Sequence, residues 1–568
     1  MARYDDAIKV KVPKDSIIYT IGGKKYAYIT TKKVYRKDKK NNSDKRIPIG
    51  RLTQEDESMM YPNGNFRVYF KAEYDALELP KLESDKLHFS DAIHYGLTGS
   101  FITIAKDLNL FKLLQESIDD GTNKDFGKIV NTIFNLAFKF VITENSSFVG
   151  YPYFARNHLI LGGNIHADST VGNILKEVSQ KQVRTFMERW LKTHQTEKGM
   201  LISCDGTNVI SNSDDIELVD LGHNKNGSFE NQISYTLLTD QNVLRPLFLE
   251  EYNGSTHDVE AIKPILTWLK QLDIKNVNIL VDRGYFSKKL MKTLLTQGNG
   301  FVMMAKLNNE IKEIIDSYEK EIKSYQNYIK SLDLNGFTVV RKLFKDLDNC
   351  VDFHVFYNSN YVNQCERELK KKVKDYCEIL NAKLKKSDNA FDKSKYEKYF
   401  NLTCDENGSL IAYSIKEEAI KDELKYVGYF VICTSFSETT EAAYYLYHNR
   451  DYTEKLIRMM KTNEEFDVCR VHSEESLIAK NLSMFIGLIL RNELFIRTKQ
   501  LRDKTKDKKL YTTTHVIKEL SCIQAVMEKS GKYFNLRALT NCQKTILSAL
   551  GITEKQLQNA LNNFNSYF

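Results

Sequence analysis

The sequence contains few of the residues that break or disorder a chain. Among 568 residues there are only 7 prolines and 26 glycines, whereas 42% are hydrophobic and 27% are charged. This composition excludes long collagen-like or disordered tracts and is typical of a globular protein with a sizeable core. The length predicts roughly three or four domains.

Metal-binding, disulfide and membrane signals are also missing. The nine cysteines include no Cys-x-x-Cys pair, and the eleven histidines include no His-Glu-x-x-His motif. We therefore expect a reducing compartment and no structural zinc. The longest apolar run, at 483–490, is far shorter than the ~18 residues that suggest a membrane span. Because the first twelve residues lack the apolar core of a signal peptide, we expect a cytoplasmic protein without a membrane partner.

The balance of charge is only mildly basic. A formal net charge of +8 does not by itself identify a nucleic-acid binder in a chain of this size. The basic residues do cluster, at 32–46 and again near 497–509. The first cluster is consistent either with phosphate contacts or with a solvated loop.

The periodicity of apolar residues divides the chain into modules. Residues 1–83 contain β-like runs (IIYTIGG, KYAYITTKKVY, FRVYFKAEY) and predict a small β-rich basic module. Residues 84–197 carry apolar side chains at helical spacing and predict a helical module that could bind DNA. Residues 501–568 predict further helices, with Gly551 as a helix stop.

Between these modules the pattern is α/β. Strand candidates end at Asp205, at 240, at 252, at Asp282 and at 306, with helices at 259–272 and after 285. They predict a mixed sheet with flanking helices, formed by residues 198–306 and 426–500. Residues 307–425, with two amphipathic helices and strands around 337–357, predict an α+β insertion between the two parts.

Two acidic residues are predicted to follow sheet strands directly. Asp205 ends the run ISCD and Asp282 ends ILVD, and each is close to a glycine that permits a tight exit. Strand ends of an α/β sheet present side chains to a shared crevice, where a carboxylate is a good ligand for Mg²⁺. An Asp-Gly step is more often only a turn, so neither acid identifies a site alone.

A third element is more specific. Tyr447, Arg450, Glu454 and Lys461 lie at i, i+3, i+7 and i+14 of a helix predicted over about 439–462. At ~100° per residue these positions fall within about 60° of one another. A phenol, a guanidinium, a carboxylate and an ammonium would then share one face. The alternative is a solvated face with Arg–Glu pairing.

The order Asp, Asp and then Tyr-x2-Arg-x3-Glu-x6-Lys resembles the DDE transposases of bacterial insertion sequences, whose hallmark is that helix. The segments VDRGYFS, YNGSTHD (252–258) and YVGYFVICTS are similar to parts of the family that surround its acids. The resemblance covers about 198–500 well and the two ends loosely. It implies an RNase H-like catalytic domain with an insertion before the glutamate.

The resemblance also implies a mechanism and its residues. Asp205, Asp282 and Glu454 would bind two Mg²⁺ ions, which Mn²⁺ could replace, for DNA cleavage and strand transfer. Tyr447, Arg450 and Lys461 would contact DNA near the cut end, with Arg283 and Lys306 as lesser candidates. The implied partners are the transposon ends and the target, both double-stranded DNA. A homodimer in the synaptic complex and association with the nucleoid are implied as well.

One feature departs from the family. Relatives that form a hairpin intermediate hold a flipped base on a tryptophan in the inserted region, but Trp190 and Trp268 both lie outside 307–425. A tyrosine or phenylalanine could take that role, because any aromatic face can stack. Two other functions fit the same residues. One is an RNase H-like nuclease without strand transfer, and the other is a domesticated DNA-binding protein, against which the presence of all three acids counts.

Overall fold

The computed structural model divides the chain into two compact units, residues 1–90 with 527–532 and residues 91–526 with 533–568. It describes all residues except 1–7, 37–40, 78–91, 120, 122–124, 197–198, 224–226, 257, 275, 387–391, 407, 437, 464–466, 508, 528–532 and 564–568.

The first unit is an antiparallel sheet with two short helices. Its strands are β1 (Val10–Lys11), β2 (Ile17–Ile21), β3 (Lys24–Arg36), β4 (Asn41–Leu52) and β5 (Met59–Pro62), in the order β1-β5-β4-β3-β2. A small core of Val10, Ala27, Ile49, Leu52, Met60 and Phe66 lies against the sheet. The basic cluster at 32–46 spans the ends of the long hairpin β3–β4, where Lys32, Lys33, Lys45 and Arg46 are exposed.

The run FRVYFKAEY was wrongly predicted to be a strand. It forms α1 (Gly64–Tyr69) and α2 (Lys71–Asp75). The side chain of Asn63 accepts hydrogen bonds from the backbone N–H groups of residues 65 and 66, which starts a helix. Phe66, Phe70 and Tyr74 recur every four residues and pack on the core together, which is helical rather than strand spacing.

A mixed sheet organises the second unit. Its described strands are β7 (Met200–Ile210), β8 (Asp220–His223), β9 (Phe229–Asp240), β10 (Arg245–Asn253), β11 (Val277–Val281), β12 (Gly300–Met304), β13 (Tyr328–Ile329), β14 (Leu334–Arg341), β15 (Val351–Tyr357) and β18 (Tyr429–Thr434). The order is β10-β9-β7-β11-β12-β18-β15-β14-β13, with β8 on β9. β7, β11 and β12 are parallel, and the other pairs are antiparallel.

Small sheets complete the strands of this unit. A hairpin joins β16 (Phe400–Cys404) to β17 (Leu410–Ile415), and β6 (Ile93–His94) pairs with β19 (Gln524–Met527), which pairs with β20 (Tyr533–Asn535).

Helices cover the central sheet and form the rest of the unit. Before β7 they are α3 (Gly96–Asp107), α4 (Leu110–Ile118), α5 (Phe126–Thr143), α6 (Tyr151–Asn157), α7 (Asp168–Leu175) and α8 (Gln180–Lys192). Between β10 and β18 they are α9 (Asp258–Gln271), α10 (Lys288–Thr296), α11 (Asn309–Ser317), α12 (Glu319–Ile322), α13 (Ser359–Lys386) and α14 (Glu417–Leu424). The last group is α15 (Thr440–His448), α16 (Asp451–Asn463), α17 (Glu474–Arg497), α18 (Lys499–Lys504), α19 (Thr513–Ser521), α20 (Asn541–Leu550) and α21 (Glu554–Asn562).

The core of the unit lies around α17, which packs against α5 and against β10 of the sheet. α5 is long and apolar enough to span a membrane, but two thirds of it is buried inside the protein, as in the core helix of a globular fold. Gly551 ends α20 in the left-handed conformation (φ +74°), so the predicted helix stop is confirmed.

The segment 307–425 is not wholly separate from the sheet. Its strands β13, β14 and β15 extend the central sheet beyond β18, because β15 pairs along its length with β18. After β15, the described residues of 358–428 leave the sheet altogether. They form α13, the β16–β17 hairpin and α14 around a core of their own that includes Leu380, Tyr399 and Phe400.

Candidate active site

Asp205 and Asp282 lie side by side on two parallel strands. β11 pairs in parallel with β7, and the last pair in register is Val281 with Cys204, so the next residue on each strand is an aspartate. Asp282 leaves the sheet there and caps a 3-10 turn at Arg283–Tyr285, where its carboxylate accepts from the Arg283 N–H at 2.6 Å. The prediction that Asp282 follows a strand directly is confirmed.

Asp205 was predicted to end its strand, and this was wrong. β7 continues for five residues past it, and Asp205 is buried in mid-strand opposite Leu237 of β9. The Asp-Gly step makes no turn because the following residues include β-branched Thr207, Val209 and Ile210, which favour an extended strand. The neighbouring strand β11 ends at this level, so an edge of the sheet is still open beside Asp205.

The helix predicted over 439–462 is broken. α15 ends at His448 and α16 begins at Asp451, so Tyr447 lies in the last turn of one helix and Glu454 in the first turn of the next. Arg450 occupies the break, where its backbone N–H still bonds to the carbonyl of Tyr447 at 3.1 Å. The four residues therefore do not share one helical face.

The Arg450 guanidinium joins the acidic side chains despite this break. Its Nη2 lies 2.6 Å from Oε1 of Glu454 and 3.7 Å from Oδ1 of Asp282, and Asp205 also acts on its charge. The Tyr447 hydroxyl donates to the same Asp282 oxygen at 3.2 Å. The structure thus brings together the three predicted acids, Tyr447 and Arg450.

The electrostatics follow from this arrangement. Burial alone lowers the pKa of Arg450, but the negative charges around it, Asp282 foremost, raise that pKa above its ordinary value overall. Burial and the adjacent Asp282 carboxylate raise the pKa of the Tyr447 phenol. The guanidinium is only 11% exposed, while the side chains of Asp282 and Glu454 are each more than 40% exposed. The carboxylates of Asp282 and Glu454 therefore face an open crevice, whereas the Arg450 guanidinium between them is almost completely covered.

The position of Glu454 depends on its two preceding residues. Thr453 is fully buried and accepts a hydrogen bond from Gln241 at 3.0 Å. The hydroxyl of Tyr452 donates to the carbonyl of Leu244 at 2.7 Å and also contacts Asn492. Both contacts fix the first turn of α16 against the sheet, and α16 packs on β7 and β9.

The remaining predicted residues lie around this cluster at different distances. Lys306 follows β12, is exposed, and donates to the carbonyl of Gly284 at 3.2 Å, so it lies beside the turn that follows Asp282. Arg283 is exposed on that turn. Lys461 lies seven residues beyond Glu454 on α16, roughly 10 Å along the helix axis.

The glycine loop between the first two acids has a structural role. A Cβ at Gly254 would lie 2.0 Å from the carbonyl oxygen of Gln232 on β9, so only glycine fits. The Gln232 amide donates to the Gly254 carbonyl at 2.9 Å. Within YNGSTHD, residue 257 lies outside the described residues.

The donor set fits hard divalent cations. Three carboxylates, two of them adjacent in register and two of them exposed, supply the oxygen ligands that Mg²⁺ prefers. Among the described residues, the three do not form a group whose ligand atoms are all within 4.8 Å of one another; Arg450 lies between them and balances their charge.

A different group does meet that distance: His515, Glu519 and Cys542. Sequence spacing gave no sign of it, because Cys542 comes from another helix. Nδ1 of His515 accepts from the Tyr511 N–H at 3.4 Å, so a neutral ring carries its proton on Nε2, 3.8 Å from Glu519. The distance between Nε2 and the Glu519 carboxylate is too long for a hydrogen bond, and the other ring nitrogen is engaged by the backbone.

Both tryptophans have structural roles. The Trp190 indole N–H donates to the Pro246 carbonyl at 2.9 Å, and Trp268 donates to Glu188 at 2.9 Å while stacking on Phe248. Neither ring is exposed to stack on a base.

Two aspartates on neighbouring strands and a glutamate on α16 thus surround one arginine, and their carboxylates are the kind of oxygen donor that divalent cations prefer. The transposase DDE domain family matches residues 199–490, more than half of the chain, and the chain belongs to this family. DDE transposase domains generally use divalent metal ions. No curated protein sequence matches the chain. Among solved structures it is similar to the piggyBac transposase in a synaptic complex with hairpin DNA, at 11% identity and a TM-score of 0.35, over 84% of this chain and 88% of that one.

Proposed function

We propose that this protein is the transposase of a bacterial insertion sequence, which binds the ends of the element and catalyses DNA strand cleavage and strand transfer. One observation carries the proposal: Asp205, Asp282 and Glu454 converge on the Arg450 guanidinium at the edge of a mixed sheet. Membership of the transposase DDE domain family supports it.

The catalytic domain is proposed to be RNase H-like. The sheet order β10-β9-β7-β11-β12, with β7, β11 and β12 parallel and the first three strands antiparallel, supports this assignment. Asp205 then lies on β7, Asp282 directly after β11, and Glu454 on α16, which packs back on the sheet.

Asp205, Asp282 and Glu454 would hold two divalent cations, Mg²⁺ with Mn²⁺ as a substitute. Such ions activate the attacking oxygen and stabilise the leaving 3′ oxygen of an in-line displacement. The protein's own contribution is mainly positioning and charge stabilisation. The buried Asp205 would fix one ligand rigidly, whereas Asp282 and Glu454 would supply cation ligands on the side of the crevice that is open to DNA.

The basic residues would bind the strand that is cut. Arg450 lies within reach of both exposed carboxylates and would contact the phosphate beside them. Tyr447 orients Asp282 through its hydroxyl and would contact the terminal phosphate. Lys461, Lys306 and Arg283 would contact phosphates further along the DNA.

The test uses the inverted repeats that are expected to flank the gene. Purified protein is incubated with Mg²⁺ and duplexes carrying these ends, and products are resolved on a denaturing gel. We expect cut ends and also joined products, because the freed 3′-OH attacks the target. Cut ends with no joined product would instead identify an RNase H-like nuclease.

Glu454→Gln provides the test of the site. Losing this carboxylate should lower cleavage at least about a hundredfold, while binding of the same duplex, measured by fluorescence anisotropy, stays at the wild-type level. A domesticated DNA-binding protein would bind without cutting in either form. If Glu454→Gln cuts at the wild-type rate, the assignment of Glu454 is wrong.

The partners and location follow from this function. Two protein copies would hold two ends in a synaptic complex, as a homodimer on DNA. The protein would work in the bacterial cytoplasm, on the nucleoid. Light scattering with and without the end duplexes tests the dimer.

A further inference from the structure

A basic cleft lies next to the proposed active site. It has a volume of about 320 Å³ and is formed by α16, α17, α18 and the start of α19. Four cationic side chains line it, from Lys455, Arg458, Arg491 and Arg502, and no acidic residue lines it in the described part of the chain. A cleft with this lining attracts anions.

Arg491 indicates that the cleft takes a ligand. Its side chain is only 1% exposed, at the end of an otherwise apolar stretch of α17. One nitrogen, Nη2, lies 3.3 Å from Glu144, but Nε and Nη1 have no hydrogen-bond partner within the described residues. Buried N–H groups are nearly always satisfied. An anion in the cleft that Arg491 lines would satisfy them.

The opposite wall adds further donors. Thr512 caps α19, and Thr513 and Thr514 line the cleft in its first turn. The first N–H groups of a helix have no partner within it, and a negative charge is favoured beside them. Arg502 is held by hydrogen bonds to the Phe495 carbonyl and the Thr498 hydroxyl, so its charge is fixed in place.

The cleft is close to the carboxylates along one helix. Arg458 follows Glu454 by four residues on α16, which is roughly 6 Å along the axis. Phosphates on one strand of a duplex advance about 3.4 Å per base pair. A strand that passes the carboxylates could therefore reach the cleft within a few nucleotides.

We propose that this cleft binds a backbone phosphate of the DNA that is cut at Asp205, Asp282 and Glu454. The choice of DNA as the source of the phosphate rests on the proposed function, whereas the anion site itself does not.

The first experiment measures DNA binding without catalysis. A labelled blunt duplex of arbitrary sequence is titrated in EDTA at several salt concentrations. The cleft variant is Lys455→Gln with Arg458→Gln, both exposed positions, and the control of equal charge is Lys192→Gln with Lys270→Gln, two exposed positions on helices that do not line the cleft. We expect the cleft variant to bind about tenfold more weakly and to lose about two from the slope of log affinity against log salt. The control should keep the wild-type slope.

The second experiment uses inorganic phosphate as the probe. Phosphate should raise the melting temperature of the wild type above that in chloride of equal ionic strength, since a ligand stabilises the state it binds. The cleft variant, and Arg491→Gln if it folds, should show no such rise.

The outcomes separate the two proposals. Weaker DNA binding by the cleft variant supports the cleft even if the wild type cuts no DNA, in which case the proposed function fails alone. If the cleft variant keeps the wild-type salt slope, the cleft does not bind a DNA phosphate. A rise in melting temperature with inorganic phosphate would then mean that the cleft binds a free anion instead. Absence of both effects overturns the cleft as an anion site.

Discussion

The Arg450 guanidinium lies between the carboxylates of Asp205, Asp282 and Glu454 and supplies the positive charge there. Three acids around one crevice repel one another, and the guanidinium 2.6 Å from Glu454 offsets that repulsion. The same contact opposes metal binding, because a divalent cation and Arg450 compete for the same negative charge. On the proposed function, Arg450 would therefore lower the affinity for free metal and would contact the DNA phosphate.

Arg450→Ala tests this balance. Without DNA, the variant should bind Mg²⁺ about tenfold more tightly than the wild type, because one positive charge near the carboxylates is gone. Its cleavage of end duplexes should fall, since the phosphate contact is lost too. Isothermal titration with Mg²⁺ measures the first effect, independently of activity.

The control for this variant is Arg189→Ala. Arg189 lies on α8 and pairs with Glu116 on α4, and neither residue contacts the acidic cluster. Its loss therefore changes the net charge by the same amount as the loss of Arg450. Equal or weaker Mg²⁺ binding by Arg450→Ala would contradict the proposed competition.

At the scale of elements, α17 shows how the core tolerates polar residues. Glu493 is buried but bonds to Arg245 at 2.6 Å and to Arg497 at 3.0 Å, and Arg497 also reaches Asp107. Such a network ties α17 to β10 and α3. Lys480 is fully buried on the same helix, and this burial is the main reason why its pKa is lowered to about 8. Cys469 partly offsets the shift, whereas the charges of Arg470 and Lys139 add to it.

Lys480→Met should therefore stabilise the protein. The folded amine releases its proton above about pH 8, whereas the unfolded amine keeps it up to its ordinary pKa of 10.5. Between these values the unfolded state binds more protons, so the wild type gains stability as pH rises. The gain from methionine should be roughly 2 to 3 kcal/mol below pH 8 and should shrink toward zero by about pH 10.5.

Urea unfolding at about pH 7 and about pH 10 measures this gain. Lys518→Met, at an exposed position of α19, should change the free energy of unfolding by less than about 0.5 kcal/mol at both pH values. A gain for Lys480→Met that stays constant with pH would contradict the buried charge as its cause.

The elements also show what local sequence can predict. The strand at 277–282 and the helix at 259–272 were predicted correctly. The local pattern of apolar residues, continuous in the first and helically spaced in the second, is enough to decide each of them. The break between α15 and α16 was missed, since Asn449, Arg450 and Asp451 differ little from other polar helix residues. Asp451 and Glu454 in the first turn of α16 are the signal that could have shown a new helix start.

Strand partners could not be predicted, because pairing depends on residues far apart in sequence. The sheet continues past β18 into β15, β14 and β13 through such distant pairs. The pattern predicted that Asp205, Asp282 and Glu454 would lie together, as they do around Arg450. It did not predict the basic cleft, because Arg491 comes from an apparently ordinary apolar helix.

At the scale of the whole molecule, the segment 358–428 between β15 and β18 has the features of an independent insert. Its two ends are adjacent: Tyr357 pairs with Tyr429, and the Asn358 N–H donates to the Gly428 carbonyl at 2.9 Å. Gly428 already has a positive φ of 85°. The segment between them has its own core. It contacts the rest of the unit through Lys425 and Tyr426, which both reach Asp316, and through Asn360, which donates to Asp333 at 2.8 Å.

Deleting residues 359–427 should therefore leave a folded protein. The join makes Asn358 and Gly428 consecutive, and Asn-Gly is the preferred two-residue turn between antiparallel strands. The contacts with residues 312, 316 and 333, the packing of residue 426 on the main core and some packing on Gly428 are lost. None of these belongs to the sheet itself, so the melting temperature should fall by no more than about 5 °C. The matched control deletes the same segment but joins with Ala-Ala, which disfavours the turn and should melt lower. Melting curves of the two deletion variants, followed by circular dichroism, test this prediction. If the variant joined by Asn-Gly fails to fold, the segment 358–428 is an integral part of the sheet's core rather than an insert.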